Sequence, residues 1–335
     1  MSALKKIFLL LFVLVFLLFF IAQVFAQTTG NSQVSLSLNP EQPGPRQKTT
    51  ARLVSYAMDL NRASITWVLD GKKILSGIGE KEFSFVTGEV GETSDINVSI
   101  GSTPLGTITK SLSLTPGEII LIWEASDSYT PPFYKGKALP PAQGNIKIVA
   151  IPNIKSGGLL IKPENLVYKW RRNDKAVEAN SGFGKNTLVI RNGYTDLVEK
   201  IEVTASPSSG DTTAFGRAII ALIDPQIILY ENRPLEGVYY ESMLPERFTL
   251  DNEEIKINAE PYYFSSPDKE KSALLFSWVI NGEKTLGDKS DPGALSLRID
   301  NGASGASNIS LGVKNKVSFL QDANTNLIIK FGATR

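Results

Sequence analysis

The chain has 335 residues, 42% of them apolar and 21% charged, with 35 basic against 34 acidic side chains. This is globular composition at a length for two or three domains of ~100–150 residues each, and the charge balance argues against a nucleic-acid binder, which needs a basic surface to displace counterions. The chain has no Cys and no His, which excludes disulfides, reactive thiols, a Ser-His-Asp triad and His- or Cys-ligated transition metals, so no cofactor and no metal site is expected.

Residues 1–26 read as an export segment. Lys5 and Lys6 are followed by an unbroken apolar run from Ile7 to Ile21, and Val24-Phe25-Ala26 then precedes Gln27 as a cleavage site does. Residues 7–26 are also long enough to span a bilayer as an uncleaved anchor. In both cases the bulk of the chain is expected to be extracytoplasmic, touching a membrane only through residues 7–26 if they are retained. Loss of residues 1–26 removes Lys5 and Lys6 and no acid, changing the formal net charge from +1 to −1. That argues against binding anionic lipid through charge alone. Residues 27–33 are polar and read as a linker.

From Val34 onward the pattern is short alternating runs divided by Gly, Pro, Asn and Asp. Val34-Ser-Leu-Ser-Leu38, Ile96-Asn-Val-Ser-Ile100, Ser111-Leu-Ser-Leu114, Ile146-Lys-Ile148, Lys200-Ile-Glu-Val-Thr204 and Ile255-Lys-Ile257 each alternate with period 2. Period 2 with one apolar face predicts half-buried antiparallel strands. No helical stripe of ten or more residues is present beyond the export segment, so the expected class is all-β.

An internal repeat organises these strands. Ala63-Ser-Ile-Thr-Trp67-Val-Leu-Asp70-Gly71, Leu166-Val-Tyr-Lys-Trp170-Arg-Arg-Asn173-Asp174 and Leu274-Leu-Phe-Ser-Trp278-Val-Ile-Asn281-Gly282 share one design. Each Trp and the residues two and four before it fall on one strand face. Three residues after Trp stands a pair that accepts positive φ and closes a tight hairpin. Each segment is therefore predicted to be a strand with one large inward aromatic, then a turn, with Trp67, Trp170 and Trp278 as the cores.

These segments resemble strand C and its following turn in immunoglobulin-like folds, including the polycystic-kidney-disease (PKD) type of many bacterial extracellular proteins. The resemblance implies tandem immunoglobulin-like β-sandwiches in which the Trp packs centrally. The antibody-type disulfide is absent.

A second repeat suggests the boundaries. Residues 111–124 and 220–231 both run from a last strand through Pro116 or Pro225 into a first strand, Pro being unable to continue a ladder. The expected domains are 34–115, 116–224 and 225–335, the last two resembling duplicates of each other.

The candidate binding residues are aromatic. Tyr129, Phe133 and Tyr134 lie between a first strand and Leu139-Pro140, Tyr239 and Tyr240 lie before Leu244-Pro245, and Tyr262 and Tyr263 follow Pro261. Such rings either stack on sugars and grip partners or plug the junction beside each Pro. Asp251-Asn-Glu-Glu254 and Asp288-Lys-Ser-Asp291 lack the ligand spacing of a calcium loop and read as solvated turns. Glu124 and Glu231 fall in different domains and so form no glycosidase pair. Asn97-Val-Ser99 and Asn308-Ile-Ser310 match the N-glycosylation pattern.

The function expected from these features is a non-enzymatic extracytoplasmic structural or binding protein, such as a cell-surface or pilus-type scaffold or an adhesin. Its expected partners are other extracytoplasmic proteins or surface glycans. The alternatives are a carbohydrate-binding protein that uses the aromatic insertions and, third, a carboxylate-dependent β-sandwich hydrolase.

Overall fold

The computed structural model describes residues 34–103, 106–194, 197–210, 212–300 and 303–332, so the export segment and the linker lie outside the described residues. Among the described residues no helix is long and apolar enough to cross a membrane. The chain is all-β and built from immunoglobulin-like sandwiches. It divides into two compact units. One comprises residues up to 119 with 152–166 and 205–215; the other comprises 120–151, 167–204 and 216–335.

In the first unit, strands Val34–Asn39, Lys48–Ser55 and Glu82–Val86 form one antiparallel sheet. Strands Lys72–Ile78, Ser64–Leu69, Ser94–Thr103 and Gly106–Leu114 form the other. The chain lays two strands in the first sheet, two in the second, one more in the first and the last two in the second, a Greek-key path. Between the sheets lies a core of Ala51, Leu53, Ile65, Trp67, Phe83, Ile96, Val98 and Ile100, each 8% exposed or less. Alternate residues of each strand supply it because successive side chains point to opposite faces. Farther along this unit, Thr213, Ala214 and Phe215 pair in parallel with Pro116, Gly117 and Glu118. Gly117 has no room for a side chain there, since a Cβ would stand 2.8 Å from that of Ala214.

In the second unit, strand Thr187–Arg191 pairs with residues 145–149, setting Leu188 opposite Ile148 and Ile190 opposite Ile146. Leu166–Arg172 pairs through its unit-two residues with Lys175–Ala176 and Gly182–Phe183. The described residues between 226 and 332 form a sandwich of two sheets. One sheet runs Gly237–Met243, Gln226–Arg233, Glu254–Tyr262, Ala294–Arg298; the other runs Arg247–Leu250, Asp322–Phe331, Gly305–Asn315, Leu274–Ile280, Glu283–Thr285. Arg247–Leu250 pairs in parallel with the last strand. The core is Ile227, Leu229, Ile255, Ile257, Phe264, Trp278, Leu295, Ile309, Leu311, Val313, Leu327 and Ile329.

The three repeat segments adopt one local geometry. Trp67, Trp170 and Trp278 are 0%, 1% and 1% exposed. A buried indole N–H needs an acceptor, and each finds a backbone carbonyl on a later loop: Glu80 at 2.8 Å, Lys185 at 2.8 Å and Pro292 at 3.0 Å. Both central turn residues have positive φ in all three: 51° and 74° at Asp70-Gly71, 48° and 64° at Asn173-Asp174, and 50° and 89° at Asn281-Gly282. That is the type I′ turn, whose twist matches the strands it joins. The Asp or Asn has a second task. Its side-chain oxygen accepts the N–H of Asp95, Lys200 or Asn308 at 2.7, 2.9 and 2.8 Å, while its own N–H donates to the carbonyl of the same residue.

A buried ion pair supports the second turn. Glu199, fully buried, accepts from Arg172 Nε at 2.8 Å, from Arg172 Nη2 and from Asn173 Nδ2 at 3.0 Å.

Candidate binding site

The site lies within the second unit and is built by three segments. Strand Glu254–Tyr262 presents Asn258, Glu260 and Tyr262 on one face, because residues two apart in a strand project together. Strand Gln226–Arg233 pairs with it, setting Tyr230 opposite Asn258. Residues 127–134 then approach the chain just beyond Tyr262. Tyr129 N–H donates to the carbonyl of Phe264, the Tyr129 carbonyl accepts from Tyr263 N–H, and Ser266 N–H donates to the carbonyl of Asp127, all at 2.7 Å.

The tyrosine hydroxyls are joined in pairs. Tyr230 and Tyr262 stand 2.7 Å apart at their hydroxyls, and Tyr134 and Tyr263 stand 2.8 Å apart. Tyr129 donates to Glu260 Oε2 and Tyr240 to Glu260 Oε1, each at 2.7 Å, and Asn258 Nδ2 donates to Oε1 at 3.0 Å. Glu260 is only 5% exposed, and these partners are neutral donors aimed at both carboxylate oxygens. The rings meet edge-on: Tyr134 with Tyr262, Tyr230 with Tyr240, and Tyr262 with Tyr263 have centroids 5.3–5.9 Å apart, the geometry favoured by the ring quadrupole. Burial, then the bond to Glu260, holds the phenols of Tyr129 and Tyr240 well above the ordinary tyrosine range. Burial and a neighbouring hydroxyl do the same at Tyr262 and Tyr263.

Beside this locked cluster opens a groove of about 810 Å³, lined by residues 132–135, residues 238–241 and Tyr262. Phe133 is 86% exposed, with its ring 6.3 Å from that of Tyr240. Tyr239 donates to Glu241 at 2.9 Å, and the Arg233 guanidinium lies 3.8 Å from its ring centroid.

All seven aromatic residues singled out from the sequence therefore lie in one region. Phe133, Tyr134, Tyr239, Tyr240 and Tyr262 line the groove, while Tyr129 and Tyr263 belong to the adjoining cluster, bonded to Glu260 and to Tyr134. The sequence reading missed Glu260, Asn258 and Tyr230. One signal pointed to Glu260: it takes the place of Ile151 when Ala259-Glu-Pro261 is set against Ala150-Ile-Pro152, and a carboxylate in an apolar strand position is a marker of special surroundings.

The remaining candidates lie elsewhere. Residues 251–254 are exposed, Asp288 pairs with Lys256 at 2.8 Å, and Asp291 accepts from Gly293 N–H at 3.0 Å. Among the described residues no group of three or more acids is placed to hold a metal ion. Glu231 pairs with Arg233 at 3.1 Å, while Glu124 is exposed near the end of strand Pro116–Ala125. Asn97 and Asn308 lie within strands, half-buried and exposed respectively.

No family model and no curated protein matches the chain. Solved structures do. The three N-terminal domains of the bacteriophage RB49 highly immunogenic outer capsid protein are 12% identical, covering 90% of this chain and 99% of that one with a TM-score of 0.26. The central fibronectin-III array of RIM-binding protein is 12% identical, covering 90% and 98% with a TM-score of 0.29. A Bacteroides ovatus mixed-linkage glucan utilization protein, SGBP-B, is 10% identical, covering 91% and 71% with a TM-score of 0.23. Similarity at this level does not bear on what this chain binds.

Proposed function

We propose that this is a non-enzymatic extracytoplasmic binding and structural protein, of the kind that serves as a cell-surface or pilus-type scaffold or as an adhesin. In this reading residues 34–115, 116–224 and 225–335 are three modules of the PKD-like, bacterial extracellular type, exported by residues 1–26. The observation that carries it is the aromatic groove beside the tyrosine–Glu260 cluster. Its tyrosine rings are held by internal hydroxyl bonds, so a partner meets a largely preorganised surface and little tyrosine side-chain entropy is lost on contact. The chain's lack of His and Cys supports binding over catalysis. The partners are other extracytoplasmic proteins or surface glycans.

Location and contact are separately measurable. Antibodies against residues 34–335 should label intact cells, and deletion of residues 1–26 should retain the protein in the cytoplasm. Cytoplasmic retention of the full chain refutes the reading.

A further inference from the structure

Phe133 is the residue the fold has least reason to keep. Its ring is 86% exposed to water, and its φ of +64° puts a bulky side chain in the left-handed region that only Gly visits freely. Both features oppose stability, and strained residues of this kind cluster at functional positions. The ring lines the aromatic groove, beside Tyr240.

The size of the groove selects the class of occupant. Its volume of about 810 Å³ falls in the range of small-molecule sites, ~300–1,000 Å³. The charges select further. Lys135 and Glu241 supply one cation and one anion to the lining, and Arg233 beside Tyr239 is bridged to Glu231 and Glu236 at 3.1 and 2.9 Å. A balanced rim complements neither an anionic nor a cationic ligand. It does offer both a donor and an acceptor to a ligand that is itself both. A neutral oligosaccharide has that chemistry, with C–H faces for the rings and hydroxyls for Lys135 and Glu241.

We propose that this groove binds a neutral oligosaccharide, with Phe133 as the stacking platform and Lys135 and Glu241 as hydroxyl partners. The proposal rests on the binding-protein reading above and narrows its partner. It can fail while that reading stands, because surface labelling of cells does not depend on sugar binding.

The test applies the purified full chain to an array of neutral and charged glycans, followed by titration calorimetry with neutral hexose oligomers. Phe133→Gly relieves the strained backbone and removes the platform. The expected result is saturable binding of at least one neutral oligosaccharide, weakened about tenfold or more by Phe133→Gly, with a Tm equal to or above that of the parent. Glu241→Gln should weaken binding without lowering Tm. Binding of charged glycans alone, equal affinity in Phe133→Gly, or binding of a protein partner with no sugar bound would each overturn the proposal.

Discussion

Substitution of Asn281 separates the two tasks of the turn residue. Asn281 has φ +50°, and its side-chain oxygen accepts the Asn308 N–H at 2.8 Å. Asn281→Ala loses that bond, worth ~0.5–1.5 kcal/mol. It also places a Cβ without a polar tip in the left-handed region, where an ordinary L-residue is penalised by ~1–2 kcal/mol and Asn by less. The two together give a loss of about 2 kcal/mol. Asn281→Gly loses the bond but accepts the backbone, so about 1 kcal/mol is expected. Asn281→Asp keeps the acceptor and the tolerance for positive φ, as Asp70 does in the first segment, so little change is expected. Hydrogen exchange read on peptides covering residues 274–331 isolates the opening of this sandwich from the rest of the chain. The order of loss should be Ala, then Gly, then Asp. An Ala variant no less protected than the Gly variant would show that backbone conformation contributes nothing here. A Gly variant as protected as the parent would show the same of the side-chain bond.

Replacing Trp67, Trp170 or Trp278 by Ala should destabilise its own surroundings by about 3–5 kcal/mol through lost burial and an unfilled cavity, measured by hydrogen exchange on peptides covering the strand that carries each Trp and the strands paired with it. Glu199→Ala should cost about 1.5–3 kcal/mol, because it removes the carboxylate that accepts from Arg172 and Asn173; a thermal melt unchanged from the parent would refute the assignment. Stability should decline in strong alkali. The phenols of Tyr129, Tyr240, Tyr262 and Tyr263 bind their protons more tightly folded than unfolded. Their contribution is therefore fully present below the unfolded value near 10 and is lost as pH rises through the higher folded values. Phenolate absorbance should show these groups ionising together with unfolding, whereas ionisation of all the tyrosines near pH ~10 without unfolding would refute the cluster.

Much of the fold is written locally. The Trp strands were legible because period 2 and a bulky aromatic need only a few neighbouring residues to declare themselves. The turns were legible because positive φ restricts residue type at Asp70-Gly71, Asn173-Asp174 and Asn281-Gly282. Composition alone set the balanced charge and the absence of His and Cys. The aromatic residues of the groove were also found by type, since runs such as Pro132-Phe133-Tyr134 and Tyr239-Tyr240 stand out from the strands around them.

Only the tertiary structure decided where those features meet. The carbonyls that accept the three indole N–H groups belong to Glu80, Lys185 and Pro292, and a backbone acceptor leaves no mark on residue identity. The side-chain bonds from Asp70, Asn173 and Asn281 to the later strand span 25 to 27 residues, beyond any local pattern. Tyr129 reaches Glu260 across 131 positions and Tyr134 reaches Tyr263 across 129. Nothing in the sequence around Glu260 fixes its burial. It is buried because a segment more than a hundred residues earlier brings a phenol to one of its oxygens, and because Tyr240 and Asn258 satisfy the other. A strand's alternation specifies which face turns inward, and the long-range pairing specifies what that face will touch.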